Sequence, residues 1–142
     1  FLDMLINTLG MNFAIKEKMA DTNPLSGVVA KFLEMESQLQ VFHWQTFGLG
    51  IHKGIGMLYD ALVEQADEFT ETGMGIYGRP TFGQISLPIQ DFSEEVMNAY
   101  LNDGIAFLKG LNQVFPNDSD LLNIRDTIMG EFNRTKYLIT LK

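Results

Sequence analysis

Apolar side chains recur every three or four residues through four long stretches of this chain, and no stretch shows the sustained alternation of a strand. That period places the apolar side chains on one face of a helix, so the pattern predicts an all-α fold. In the first stretch the positions on this face are Leu25, Val28, Phe32, Met35, Leu39 and Phe42. In the second they are Ile51, Ile55, Leu58, Leu62, Ala66 and Phe69. In the fourth they are Leu121, Ile124, Ile128, Phe132, Thr135 and Ile139. Each set predicts a stripe that is buried against other helices.

Capping and turn signals set the expected ends of the four helices. The expected spans are residues 25–47, residues 49–74, a third helix from Asp91 or Ser93 to about Phe115, and a fourth from just after Asp118 or Ser119 to the C-terminus. Asn23 is the expected cap of the first helix, with Pro24 in the first helical position. Asp91 followed by Glu94 fits a capping box for the third.

The lengths of the connections predict how the helices are joined. Short turns separate the first helix from the second and the third from the fourth, whereas residues 73–88 form a long connection rich in Gly and Pro that has room for a short helix. This order is typical of a ferritin-like four-helix bundle, with a long crossover between helices two and three. We expect one ferritin-like domain over residues 1–142, with the bundle in 24–142 and an N-terminal extension in 1–20 that adds a short helix.

The composition limits the kinds of site and partner. The 142 residues are enough for one domain with its own core and too few to expect two. Without cysteine, the chain has no disulfides, thiolate sites or thiol nucleophiles, so a metal site must use N and O ligands. A net charge of −8 with scattered basic residues favours cations over nucleic acids as partners. No apolar run is long enough to cross a membrane, and we expect a soluble, cytoplasmic protein.

The only two histidines of the chain flank the first interhelical turn. His43 lies in the last predicted turn of the first helix and His52 in the first turn of the second, so both belong to the same end of the bundle. The positive end of the dipole at the start of the second helix disfavours imidazolium at His52, which keeps a nitrogen lone pair free for a metal. His52 and, with it, the neighbouring His43 are candidate metal ligands.

Asp67 and Glu71 are candidate ligands on the second helix, because a spacing of four residues puts both carboxylates on one face. Together with imidazole they make a mostly hard-oxygen site that suits iron or manganese better than copper. His52 and Asp67 are 15 residues apart, which at ~1.5 Å of rise per residue is about 22 Å, too far for a shared site in one subunit. A two-fold dimer with antiparallel second helices would join them and would create two equivalent sites.

Each of these residues also has a simpler interpretation. Carboxylates on a helix usually form a solvated surface, as we expect for Glu64 and Glu68. A histidine beside an aromatic residue is commonly packed or capping, and Trp44 is expected in the core. Only the four candidate ligands taken together favour a metal site.

The order of these residues resembles the Dps family of mini-ferritins, DNA-protection proteins of starved cells. The shared pattern is the pair His43-Trp44 closing one helix, a Gly-containing loop, His52 opening the next helix, and Asp67 and Glu71 at the family's spacing after it. The similarity covers most of the chain from about residue 25 onward. It includes the Gly-rich exit from the second helix, residues 73–78, and the start of the fourth, residues 118–122.

The resemblance implies a hollow dodecamer that binds Fe(II) at two-fold interfaces, oxidises it preferentially with hydrogen peroxide and stores ferric mineral, which protects against oxidative stress. The ligands it assigns are His43 and His52 from one subunit and Asp67 and Glu71 from the other, with Glu71 as the bridging carboxylate. It also implies that Asp118 and Asp120 line a three-fold pore.

The chain departs from the family pattern in three places. The two histidines are only nine residues apart, Gly56 replaces an acid that the family commonly has one turn after the second histidine, and the absence of a Lys-rich tail gives DNA binding no support. Gly54 and Gly56 each lower helix propensity by about 1 kcal/mol relative to Ala, which indicates close packing or local flexibility. Three functions stay open: a ferroxidase and iron store, a ferritin-like assembly protein without metal chemistry, and a DNA-compacting protein, against which the charge of −8 argues.

Overall fold

The computed structural model describes residues 23–141, and every regular element within them is an α-helix. Helix α1 covers Leu25–Gln45, α2 Leu49–Tyr77, α3 Glu94–Val114 and α4 Ser119–Leu138. The all-α class and the four predicted helices are confirmed. The short helix expected over residues 1–20 lies outside the described residues. None of the helices in residues 23–141 is long and apolar enough to cross a membrane.

The core forms where the predicted apolar stripes face one another, and aromatic rings fill its centre. All six stripe positions of α1 are buried, as are most of those in α2 and α4. Phe32 packs edge-on against Phe69 and Phe107, with ring centroids 5.3 and 6.0 Å apart, and Phe69 packs against Phe115 at 5.7 Å. Such pairs contribute about 0.5–1.5 kcal/mol each beyond the area they bury. The cluster therefore ties α1, α2 and the α3 region into one core.

Asn23 joins the start of α1 to the end of α2. Its side-chain Oδ1 accepts a hydrogen bond from the Leu25 N–H at 2.8 Å, as a helix cap does. Its Nδ2 donates to the carbonyl oxygens of Tyr77 and Gly78, both at 2.8 Å. The predicted cap at Asn23 is confirmed, although α1 begins at Leu25 and not at Pro24. Because the start of α1 lies beside the end of α2, the two helices are antiparallel.

Helix α4 is antiparallel to α2. At one end the Tyr77 hydroxyl donates to the Asp118 carboxylate just before α4. At the other end, Gly54 approaches the last turn of α4 so closely that an added Cβ would lie 3.1 Å from Ile139 Cγ2. Close packing, one of the two interpretations of Gly54, is confirmed, because a Cβ here would require the Ile139 side chain to shift by a few tenths of an ångström.

A buried arginine holds α4 against α3. The Arg125 guanidinium donates to the Leu108 carbonyl oxygen at 2.8 Å and to Asn112 Oδ1 at 2.7 Å. Further along, the Phe132 ring lies against Gly104, where a Cβ would sit 2.6 Å from the ring. Residue numbers rise along one helix as they fall along the other, so α3 and α4 are antiparallel.

The connection between α2 and α3, residues 78–93, contains no helix and is held by two glutamines of α1. The buried Gln38 donates to the Gln90 carbonyl oxygen at 2.8 Å and accepts from the Gln90 N–H at 2.7 Å. Gln45 accepts from the Phe92 N–H at 2.7 Å. The end of this connection therefore lies beside the last turn of α1.

Helix α3 begins after Ser93. The Ser93 Oγ accepts a hydrogen bond from the Val96 N–H at 3.0 Å. Asp91 accepts from the Gln45 side-chain amide at 2.9 Å and caps nothing. The predicted start at Ser93 is confirmed, and the capping box at Asp91 and Glu94 is wrong, because the Asp91 carboxylate is used to anchor the connection.

Candidate metal centre

The two histidines lie side by side at the α1–α2 turn, which is only three residues long. Helix α1 ends where the Thr46 N–H bonds to the Phe42 carbonyl oxygen at 3.1 Å, and the His52 N–H bonds to the Gly48 carbonyl oxygen at 2.9 Å within the first turn of α2. The imidazole rings stack with centroids 3.8 Å apart and planes 20° apart. The expectation that both lie at one end of the bundle is confirmed.

Reciprocal hydrogen bonds fix both rings. His43 Nδ1 lies 2.9 Å from the His52 carbonyl oxygen, and His52 Nδ1 lies 2.8 Å from the His43 carbonyl oxygen. A carbonyl oxygen can only accept, so each Nδ1 carries the hydrogen. In the neutral rings the lone pair is then on Nε2, and the backbone fixes the tautomer and the orientation, as it does for metal-binding histidines. In both neutral rings, therefore, Nε2 is the nitrogen that could bind a metal.

Gly56 provides the space in which the His43 ring lies. A Cβ at this position would be 2.9 Å from His43 Cε1 and 3.0 Å from Nδ1, closer than side chains normally approach. Close packing, one of the two interpretations of Gly56, is confirmed. The acid that the Dps pattern would place here is incompatible with the position of the ring, because any side chain would displace it.

The two candidate carboxylates lie further along α2. Asp67 and Glu71 are both exposed, one turn apart. Within residues 23–141 of a single subunit, no three His, Asp or Glu side chains come close enough to hold one metal ion. The structure thus brings His43 and His52 together and leaves Asp67 and Glu71 away from them. The solvated surface expected for Glu64 and Glu68 is confirmed, since both are exposed.

A groove of about 400 Å³ between α1 and α2 holds Asp67 and a carboxylate that the sequence analysis missed, Glu36. Burial, and after it the negative charge of Asp67, raises the pKa of Glu36 above its usual value. Glu36 precedes His43 by seven residues, which is two helical turns, so the sequence places both on the same face of α1. This spacing was the signal that could have identified Glu36. The residues that line the groove are Val29, Phe32, Leu33, Glu36, Val63, Glu64, Ala66, Asp67 and Thr70.

Changing Glu36 to Gln is expected to stabilise the metal-free protein at neutral pH and to have no such effect in acid. Because the pKa of Glu36 is raised in the folded state, its contribution to stability is complete below the pKa of the unfolded chain, about 4.3, and is lost as the pH rises through the folded pKa. Urea unfolding at pH 3 and pH 7, with chelator present, measures the difference. The exposed Glu68→Gln is the control, and an equal gain at both pH values would contradict the prediction.

Trp44 is not in the core. Its side chain is 70% exposed, Phe47 is fully exposed and Leu49 is also largely exposed. We call Trp44, Phe47 and Leu49 the aromatic turn. The expectation of a core position is wrong because Trp44 follows Phe42 by two residues, which turns it away from the buried stripe.

The acids expected at a pore lie at the opposite end of the bundle from the histidines. Asp118 accepts the hydrogen bond from Tyr77, and partial burial together with this bond raises the pKa of Tyr77 to about 12. Asp120 is exposed, and its Oδ1 accepts from the Leu121 N–H at 3.0 Å. Asp118 therefore has a role within the subunit, and the pore stays a prediction.

Comparison with known proteins identifies one family. Residues 43–139 match the model of a family described as a family of unknown function, DUF5856. No curated protein and no solved structure matches the chain. The matched range begins at His43 and includes His52, Asp67 and Glu71, so it contains every candidate ligand proposed from the sequence. More than half of the chain is covered, and the protein therefore belongs to the DUF5856 family.

Proposed function

We propose that this protein is a Dps-like iron-binding protein that oxidises Fe(II) between subunits and stores the ferric product, which protects against oxidative stress. The observation that carries the proposal is the histidine pair, in which two carbonyl oxygens hold both Nδ1–H groups and leave both Nε2 lone pairs for a metal. The same two bonds join α1 to α2, so the pair fixes the turn and presents both Nε2 atoms at one end of the hairpin. The protein would act in the cytoplasm.

A ferritin-like arrangement of the helices is part of the proposal. Phe42 packs against Tyr100 and Phe32 against Phe107, so α1 is antiparallel to α3 as well as to α2. Helices α2 and α3 then run in the same direction, and the connection between them passes from the Asn23 end of α1 to the Gln45 end. These contacts support a long crossover between helices two and three.

The site itself would form in a two-fold dimer. Two α2 helices placed antiparallel bring the His43–His52 end of one subunit beside Asp67 and Glu71 of the second subunit. Imidazole nitrogens and carboxylate oxygens are suitable ligands for Fe(II). In the reaction, two Fe(II) ions each give one electron to hydrogen peroxide, which takes up two protons and becomes two water molecules. We propose a homo-oligomer built from such dimers, up to a dodecamer; the charge of −8 gives DNA binding no support.

Iron oxidation by the Asp67→Ala variant tests the proposal. Fe(II) and hydrogen peroxide, or Fe(II) and oxygen, are mixed with the wild-type protein and the formation of ferric iron is followed by absorbance. We expect Asp67→Ala to oxidise iron at least about tenfold more slowly, because a metal ligand contributes at least as much as the groups that orient it. The control is Asp60→Ala, which removes an exposed acid two turns earlier on α2. Equal rates in Asp67→Ala and wild type would overturn the iron function.

A ferritin-like assembly protein without metal chemistry is the alternative, and one observation favours it. The His43 ring occupies the space at Gly56, so the site has one carboxylate fewer than the Dps pattern. This alternative predicts a stable oligomer that binds no Fe(II). Anaerobic Fe(II) titration by calorimetry, on an oligomer defined by sedimentation, separates the two functions.

A further inference from the structure

The aromatic turn is the most exposed apolar surface next to the candidate metal ligands. Trp44, the only tryptophan of the chain, directly follows His43 and is 70% exposed. Aromatic side chains bury about 150–250 Å² when they are covered, so leaving this one in water is costly. Its exposure in the single subunit indicates that something else covers it.

The groove between α1 and α2 is suited to an aromatic side chain. Its volume is about 400 Å³, and its floor is apolar where Phe32 and Ala66 are buried. Leu33 and Val63 line it while remaining partly exposed, and Asp67 lies on its wall. The groove therefore offers an apolar surface for a side chain and also contains Asp67, one of the proposed metal ligands.

Trp44 cannot reach this groove in its own subunit. The nearest groove residue on its own helix, Glu36, is eight residues away, which is about 12 Å at ~1.5 Å of rise per residue, and Asp67 is about 22 Å from His52 along α2. A tryptophan side chain covers only a fraction of that distance. In one chain, the groove and Trp44 are thus complementary surfaces that lie too far apart along the α1–α2 hairpin to touch.

A second copy of the chain removes the separation. Pairing that places His52 beside Asp67 of the second subunit also places Trp44 at the groove that Asp67 lines, because Trp44 and His52 share one end of the bundle. From this coincidence we infer that Trp44 of each subunit occupies the α1–α2 groove of the other. The inference rests on the proposed two-fold dimer and identifies Trp44 as a side chain that packs across its interface. Two equivalent contacts form, as an isologous interface requires.

Fluorescence of the single tryptophan tests the inference on the full chain. In the dimer, Trp44 is expected to emit at short wavelength and to resist acrylamide quenching, and dilution to monomers is expected to reverse both. Leu33→Glu places a charge in the groove and is expected to raise the dimer Kd at least about tenfold and to expose Trp44 at concentrations where the wild type is dimeric. Leu87→Glu is the matched control, since Leu33 and Leu87 are both 39% exposed and Leu87 does not line the groove.

Three results would overturn the inference: a water-exposed Trp44 in the wild-type dimer, a Trp44 that stays protected after dilution to monomers, or a Leu33→Glu dimer with wild-type emission. The second result would mean that Trp44 is covered within its own chain. Val63→Glu provides an independent change in the groove, and circular dichroism shows that each variant is folded.

Iron measurements on the same samples distinguish this inference from the proposed function. Asp67→Ala is expected to lose iron oxidation and to keep Trp44 buried in the dimer. Iron oxidation by a dimer whose Trp44 is exposed would overturn the inference alone. A dimer that buries Trp44 and neither binds nor oxidises Fe(II) would overturn the proposed function alone.

Discussion

Changing Gly56 to Asp is expected to separate the two imidazole rings and to weaken Fe(II) binding, even though it adds the carboxylate that the Dps pattern has at this position. The new Cβ would lie 2.9 Å from His43 Cε1, so the ring must move and lose its hydrogen bond to the His52 carbonyl oxygen. Overpacking of this kind costs about 1–3 kcal/mol. Loss of the orienting hydrogen bond should lower the affinity for Fe(II) at least about tenfold.

Calorimetric Fe(II) titration and urea unfolding measure these two effects. Gly56→Ala separates the contribution of shape from that of charge, because it introduces the same Cβ without a carboxylate and should reproduce most of the loss. The reference variant is Gly75→Ala in the same helix, where an added Cβ has no neighbour within 4 Å. There the usual gain of about 0.5–1 kcal/mol from replacing a helical glycine should appear. Tighter Fe(II) binding by Gly56→Asp than by the wild type would contradict the prediction, because it would show that the position of the His43 ring does not depend on the space at Gly56.

Changing Phe69 to Ala is expected to lower the free energy of unfolding by about 3–5 kcal/mol. Phe69 is fully buried and touches rings on two sides, Phe32 at 5.3 Å and Phe115 at 5.7 Å between centroids. Its removal leaves a cavity where α1, α2 and the end of α3 meet, and the remaining rings are held by their own helices and cannot close it.

Urea unfolding followed by circular dichroism at fixed subunit concentration measures the Phe69→Ala effect. Phe47→Ala makes the same chemical change at a fully exposed position and should stay within about 0.5 kcal/mol of the wild type. A loss below about 1 kcal/mol for Phe69→Ala would show that the aromatic cluster is not the centre of the core.

The helices were predictable because their apolar stripes are continuous, but several ends depend on contacts that local sequence does not reveal. Helix α2 continues past the predicted end at residue 74 to Tyr77, where the Asn23 side chain binds its last carbonyl oxygens. That partner lies 54 residues away in the chain. Helix α1 ends at Gln45, two residues before the predicted end, and α4 ends at Leu138, before the C-terminus.

The placement of the two histidines was predictable, and the contacts between them were not. The position of His43 and His52 at one turn follows from helix periods, whereas their stacking depends on a three-residue turn and on the missing side chain at Gly56. Glu36 was missed because the sequence shows only its seven-residue spacing from His43, whereas its raised pKa depends on burial and on Asp67 of the packed α2. Trp44 was misplaced because residue type was given more weight than its angle on the helix.

The hairpin of α1 and α2 is fastened at both ends, by Asn23 at one and by the reciprocal histidine bonds at the other. Neither helix can slide along the other without breaking the hydrogen bonds at both ends. The distance along α2 from the histidine pair to Asp67 is therefore set by the number of residues between His52 and Asp67. Losing one residue from that interval would shift the carboxylate by ~1.5 Å and rotate it by about 100° around the helix axis. Such a deletion would therefore undo the alignment of His52 with Asp67 that the proposed two-fold dimer requires, although every residue of the proposed site would still be present.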